Sequence, residues 1–331
     1  MIRTGKVTAA FVAATLSATT GAMAQNQVIE AVIFAGASAT AIYVAQEKGF
    51  FAREGLEVKV TATPNSTFQM TNLINGKFQV ASTALDNLIA YQEEQSTPKT
   101  ERPADMIVIM GGASTELALM ALPSIKTIGE LRGKEFALDS LTTGYAFVLR
   151  KMLEKNGLMP SDYKFVAVGG TRERLEALKS GAMSAGMISE PFTTQAKNAG
   201  FTFIGEAVSS VGRYQATVQI ANRWWAKENE KAAVGYVRAM ITATDWIYDP
   251  ANKAEAVKIL AAAVKIPEAA AAPSINGLTQ GQGALAPKGA LDIEGLKTVI
   301  DLREQYGEPR QKMGAPEKYY DLSYYNKALG K

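Results

Sequence analysis

The side chains able to hold a small molecule gather in a few turns. Ser38, Ala39 and Thr40 follow the apolar run Val32-Ile33-Phe34 and precede a helical pattern. Thr142, Thr143 and Gly144 stand in the same relation to a run at 135–139 and to a helical pattern that begins at Tyr145. At such a junction a strand's carboxyl end meets a helix's amino end, where unpaired backbone N–H groups and the positive end of the helix dipole converge. The hydroxyls add further donors, although Ser and Thr are also ordinary helix N-caps. Ser66 and Thr67 occupy a third turn of this kind. Thr83, Asp86 and Asn87 lie beyond a short strand pattern ending at Ala81, and Glu190 follows Met187-Ile188. The donor-rich helix ends favour an anionic group, whereas Asp86, Asp139 and Glu190 suit an amine or ring N–H. Glu190 serves equally well as a salt-bridge partner at the edge of a cleft.

Catalytic devices are largely excluded by composition. The chain of 331 residues has no histidine and no cysteine, which removes the commonest general base, Ser-His-Asp and Cys-His arrangements, and most catalytic zinc sites. Leu131-Arg132-Gly133-Lys134 contains a Gly-Lys pair but lacks phosphate-loop spacing and precedes a strand instead of following one. Gly36-Ala37-Ser38-Ala39 does not match a dinucleotide fingerprint. No cofactor, no metal and no enzymatic activity are expected.

The elements that position these turns recur. Residues 31–60 read as strand, polar turn, amphipathic helix over 41–53, Gly55-Leu56 corner and strand. Residues 134–168 repeat that order, with Gly157-Leu158 at the corner. Each unit is followed by a polar loop, a helix ending in Gly76 or Gly181, and a further strand. Two tandem strand-helix-strand units predict an α/β protein of two lobes with a cleft between them. The buried-strand pattern 106–110 followed by Gly111-Gly112 marks the crossing out of the first lobe, with the Gly pair a candidate hinge. The segment around Ser209, Ser210 and Gly212 marks the return. This divides the chain into residues 25–113 and 213–331 for the first lobe and 114–212 for the second. From Asn222 onward the pattern is helical, with Trp224, Trp225, Tyr236 and Trp246 read as core packing. A loop holding Gly277, Gly281, Gly283 and Pro287 is expected before a helix at 293–306. Tyr319, Tyr320, Tyr324 and Tyr325 are read as docking residues of a terminal helix.

The first 24 residues read as an export signal. Arg3 and Lys6 precede a weakly apolar run, and Ala22-Met23-Ala24 fits an A-x-A cleavage site before Gln25. The apolar run is shorter than the roughly 20 residues of a membrane span. Lys and Arg total 35 against 32 Asp and Glu; without Arg3 and Lys6 the count is 33 against 32, a net charge of +1. Such a balance gives no reason to expect nucleic acid as a partner. A chain without cysteine has neither a lipid-attachment thiol nor disulfides, so the expected product is a soluble monomer in the periplasm.

The succession YVAQEKGFFAREGLEV, LINGKFQVASTALDN, IKTIGELRGKEFALDSLTTGYAFVLRKML and RERLEALKSGAMSAGMISEPF resembles the NMT1/THI5-like family of periplasmic solute-binding proteins, over residues 28–225. That family includes receptors of ABC importers for sulfonates, taurine, nitrate and thiamine-pyrimidine precursors. The resemblance implies a periplasmic-binding-protein type II fold that closes on a small-molecule solute between its lobes and docks on an ABC transporter permease. It also implies that the strand exit at Thr83, Asp86 and Asn87 lines the pocket and that Glu190 faces the cleft. Two alternatives remain on the same fold: an enzyme of dehydratase or pyrimidine-synthase type, and a solute sensor for a membrane partner.

Overall fold

The computed structural model describes Met1 and residues 26–96, 98–114, 117–281 and 283–331. The expected export signal, apart from Met1, and its cleavage site lie outside the described residues. Ten strands can be traced: β1 (Gln27–Ile33), β2 (Leu56–Ala62), β3 (Val80–Ala84), β4 (Met106–Met110), β5 (Ala118–Ala121), β6 (Glu135–Leu138), β7 (Lys164–Ala167), β8 (Ala185–Ile188), β9 (Thr202–Glu206) and β10 (Thr217–Asn222). They form two five-stranded sheets among the described residues, ordered β2-β1-β3-β10-β4 and β7-β6-β8-β5-β9.

The two sheets have the same plan. In the first, β1 lies parallel between β2 and β3, and β10 inserts antiparallel between β3 and β4. In the second, β6 lies parallel between β7 and β8, and β5 inserts antiparallel between β8 and β9. The repeat read from the sequence is therefore a repeat of topology, and helices cross over between the parallel strands as such connections require. Glycine fixes the corners: Gly55, Gly76, Gly157 and Gly181 all have positive φ, between 71° and 86°, a region that costs other residues more.

Two local expectations change, and one Gly pair gains a packing role. The helix expected over 41–53 is two helices, Thr40–Glu47 and Phe50–Arg53, because Gly49 adopts a left-handed conformation (φ 67°) between them. The loop expected around Gly277 is part of a helix, Glu268–Thr279, which carries Pro273 and Gly277 within it; burial of Ala271, Ile275 and Leu278 on one face outweighs the two poor helix formers. At Gly111 and Gly112 the structure shows close packing of backbones. A Cβ on Gly111 would stand 2.2 Å from the Ala290 carbonyl oxygen, and one on Gly112 2.6 Å from that of Thr217.

Packing ties the lobes together. One apolar cluster lies on the outer side of the first sheet, where the helix Glu230–Tyr248 packs against Thr40–Glu47. Tyr236 is fully buried there and its hydroxyl donates to Gln219 (2.9 Å), whereas Trp224 is 41% exposed and lies outside this core. A second cluster runs through both sheets, including Val32 and Val218 of the first and Leu119 and Phe136 of the second. The helix Ile293–Tyr306 spans that seam, placing Tyr306 5.9 Å from Phe147 between ring centroids. The end of the chain covers the β4 edge: Asp321 N–H donates to the Val108 carbonyl (3.0 Å) and buried Tyr319 donates its hydroxyl to Glu93 (2.8 Å). Among the described residues no helix is long and apolar enough to cross a membrane.

Candidate functional site

A cavity of about 110 Å³ lies where the strand ends of the two sheets face one another. A single water needs only ~10–15 Å³, so the space suits a small organic molecule. The turn after β1 contributes Phe34 to Ser38, the end of β3 contributes Ser82 to Ala84, and Asn87 follows from the next helix. From the second sheet come Asp139 after β6, Thr143 to Tyr145 at the start of the helix Gly144–Lys155, and Ser189 and Glu190 after β8. The helix Thr171–Lys179 adds Thr171 and Arg174, and Glu268–Thr279 closes the other side with Ser274 and Leu278. This is the crevice outside the strand ends at which open α/β sheets bind ligands.

Of the residues selected from sequence, the structure brings Ser38, Thr83, Asn87, Asp139, Thr143, Gly144 and Glu190 to this cavity. Asn87 donates to the Thr83 hydroxyl (2.9 Å), and Glu190 accepts from the Thr194 hydroxyl (3.0 Å) and N–H (3.3 Å). The others lie elsewhere. Ala39 and Thr40 are buried behind the first turn, where the Thr40 hydroxyl donates to the Ala37 carbonyl (2.6 Å). Thr67 and Thr142 line a neighbouring surface depression with Asn65 and Leu141. Ser66 and Asp86 are buried in contacts between the lobes.

Those contacts are reciprocal. The carboxylate of Asp139, from the second lobe, accepts from the Ser66 N–H at 3.2 and 3.3 Å, at the amino end of the first-lobe helix Ser66–Ile74. Asp86, from the first lobe, accepts from the Gly144 N–H at the amino end of Gly144–Lys155. Two of the helix ends that the sequence offers to a ligand are thus each met by a carboxylate of the opposite lobe, which satisfies the local dipole. Asp86 is also paired with Arg303 through two bonds of 2.6 and 2.7 Å, and both side chains are at most 1% exposed. Arg303 donates in turn to the Thr142 carbonyl across the seam. Direct backbone bonds run from Ala37 N–H to the Glu190 carbonyl (3.2 Å) and from Gly170 N–H to the Pro64 carbonyl (2.9 Å). Arg172 donates to the Val264 carbonyl (2.7 Å). The lobes are closed on one another.

Arg174 is the charged cavity-lining residue that the turn-based reading misses. It is 4% exposed, lines the cavity, and donates to the Gly170 carbonyl (3.3 Å) and the Thr171 hydroxyl (2.8 Å). Its Nη1 has no hydrogen-bond partner among the described residues, nor do the buried hydroxyls of Ser274 and Tyr214. Burial lowers the Arg174 guanidinium from its ordinary pKa, and the charge of Asp139 pulls the other way. Burial likewise pushes the Tyr214 phenol well up, reinforced by the charge of Asp86. Arg174 does carry a sequence signal. It shares the face of Leu178, four residues on, so it falls on the helix's apolar stripe while Arg172, Glu173 and Glu176 do not.

The sequence from residue 37 to 254, well over half the chain, matches the family model described as NMT1/THI5 like. The chain belongs to the NMT1/THI5-like family. This NMT1/THI5-like protein is similar to the "Putative binding protein YtlA" of Bacillus subtilis (strain 168), 24% identical over 219 residues that cover 64% of this chain and 63% of that one. The match therefore spans less than two thirds of that relative's length. The periplasmic nitrate-binding protein NrtA of Synechocystis PCC 6803 superposes with a TM-score of 0.78 at 16% identity, covering 92% of this chain and 88% of that chain. The periplasmic aliphatic sulphonate binding protein SsuA of Escherichia coli superposes with a TM-score of 0.68 at 15% identity, covering 89% and 92%. At such identities the likeness concerns the fold, the two-lobed type II architecture of periplasmic binding proteins.

Proposed function

We propose that this NMT1/THI5-like protein is the solute receptor of an ABC importer. It captures one small organic molecule, of sulfonate or taurine type or a nitrogen heterocycle, and delivers it to a membrane permease. The observation that carries the reading is the cavity at the facing strand ends, with lobes joined beside it by direct bonds. A cleft lined from both lobes holds its ligand between them, as hinged two-lobed binding proteins do. Its place in the periplasm, after removal of residues 1–24, and its action as a monomer belong to the same proposal. The names and folds of NrtA and SsuA support it.

A catalytic role has weaker support. Thr171 and Ser189 pair their hydroxyls at 3.2 Å, and Thr171 also accepts from Arg174. Neither hydroxyl thereby gains the adjacent base that activates a nucleophile. Titration calorimetry of the mature chain with sulfonates, nitrate, carboxylates and pyrimidines tests the reading. One solute class should bind with a stoichiometry of one and be recovered unchanged; conversion of the bound compound to a product would defeat it.

A further inference from the structure

We propose that Arg174 and Ser274 form the recognition point for a singly charged oxyanion, a carboxylate or a sulfonate, at one end of the solute; the proposal rests on reading the cleft as a solute site. Arg174 is braced from behind by two bonds into the first turn of its own helix, to the Gly170 carbonyl and the Thr171 hydroxyl, which fix the plane of its guanidinium. Nη1 is left over. On the opposite lobe, Ser274 lies within the helix Glu268–Thr279, where a serine commonly turns its hydroxyl back onto a carbonyl of the preceding turn. It makes no such bond and is 2% exposed. A buried donor without an acceptor destabilises the fold that holds it, and a charged donor does so most. The two residues that carry these donors line one cavity from the two lobes, and an acceptor that arrives with the ligand accounts for both.

The charges around the cavity limit that acceptor. Arg174 is the one cation among its described lining residues, against two carboxylates, Asp139 and Glu190. Asp139 already acts on Arg174 electrostatically and accepts from Ser66 N–H. With one guanidinium against two carboxylates the lining is already net negative, so a single negative charge is held by direct contact with Nη1 and each further one is opposed by the carboxylates in a medium that screens poorly. Monoanionic carboxylates and sulfonates therefore fit, and dianions such as sulfate do not. The Ser274 hydroxyl adds a bond that forms only while the lobes are together, so recognition of the charged end also favours closure.

The test uses the mature chain and matched probes at constant ionic strength: propionate with propionamide, ethanesulfonate with ethanesulfonamide, sulfate as the dianion and cytosine as a neutral heterocycle. Binding is followed by thermal unfolding and calorimetric titration. One of the two monoanions should bind and raise the unfolding temperature, identifying the head group as carboxylate or sulfonate, while its amide and sulfate do neither. Arg174→Met should weaken that binding about ten- to a hundredfold, the loss of one charge-assisted hydrogen bond. Ser274→Ala should weaken it several-fold while leaving the empty protein as stable as the parent or more so, which a structural hydroxyl would not do. Arg174→Lys keeps charge without the fork and should bind between parent and Arg174→Met, which supplies the comparison should the Met variant fold poorly. Equal responses to acid and amide, parent-like affinity in the variants, or loss of stability in Ser274→Ala overturns the proposal. Binding of cytosine alone, unchanged by Arg174→Met, overturns it and leaves the receptor reading standing; silence across all probes counts against both.

Discussion

Asp86→Ala probes the seam between the lobes most sharply. In the closed protein the Asp86 carboxylate receives two bonds from Arg303 and one from the Gly144 N–H, with both charged side chains at most 1% exposed. Truncation leaves a buried guanidinium with only the neutral acceptors Thr142 carbonyl and Gln95 side chain, the latter at 3.4 Å. It also leaves the first N–H of the helix Gly144–Lys155 unmet. Breaking a buried pair by removing one partner costs about 3–5 kcal/mol, a large share of the roughly 5–15 kcal/mol that holds a domain folded. The double variant Asp86→Leu/Arg303→Met removes both charges and should recover most of the loss, because apolar replacement of a whole buried pair is often close to neutral. Urea unfolding of the parent and the variants, extrapolated to water at constant m, supplies the numbers. If Asp86→Ala costs less than about 1 kcal/mol, an amount ordinary for a solvated pair, water reaches the pair in solution and the closed seam is not the resting state.

Three further outcomes follow from the geometry. Gly111→Ala should destabilise by about 1–3 kcal/mol, the range for overpacking, because its Cβ would meet the Ala290 backbone at 2.2 Å; a parent-like urea midpoint would show that segment free to move aside. Arg172→Ala removes the cross-lobe bond to the Val264 carbonyl and should raise the radius of gyration of the empty protein in solution scattering, while saturating solute restores the compact value. Burial raises Tyr43 and Tyr91 to about 12, partly offset at Tyr43 by a Gly36 backbone bond and at Tyr91 by Thr67. The folded chain therefore keeps protons that the unfolded chain loses near pH 10, so their contribution is intact below pH 10 and is lost as pH rises from there through 12. Urea midpoints should be level from pH 7 to 9 as far as these phenols act and fall by pH 11.5; a level midpoint at 11.5 would refute the burial.

The topology was legible because its causes are local. The Gly-Leu corners at Gly55 and Gly157, the polar turns and the short apolar runs each act within a few residues, and their recurrence exposed the repeat of β1-β2-β3 as β6-β7-β8. The partners of the polar groups were not legible, because they lie in the other lobe. Nothing near Asp86 in the sequence points to Arg303 or to the Gly144 N–H, and nothing near Ser66 points to Asp139. Helix ends that look open in one lobe are closed by carboxylates from the other. Arg174 was hidden differently, in a charged stretch, TRERLEALK, where only its i, i+4 relation to Leu178 marks it as inward. Gly277 misled because helix breakers signal a loop unless tertiary burial overrides them.

Native mass spectrometry tests most directly the claim that the cleft captures one small solute and returns it unaltered. Mature protein incubated with the solute found by calorimetric titration should carry a single adduct per chain, lose it on unfolding, and yield a released compound of the original mass after prolonged incubation. Absence of any adduct, or a released compound of changed mass, would contradict the account.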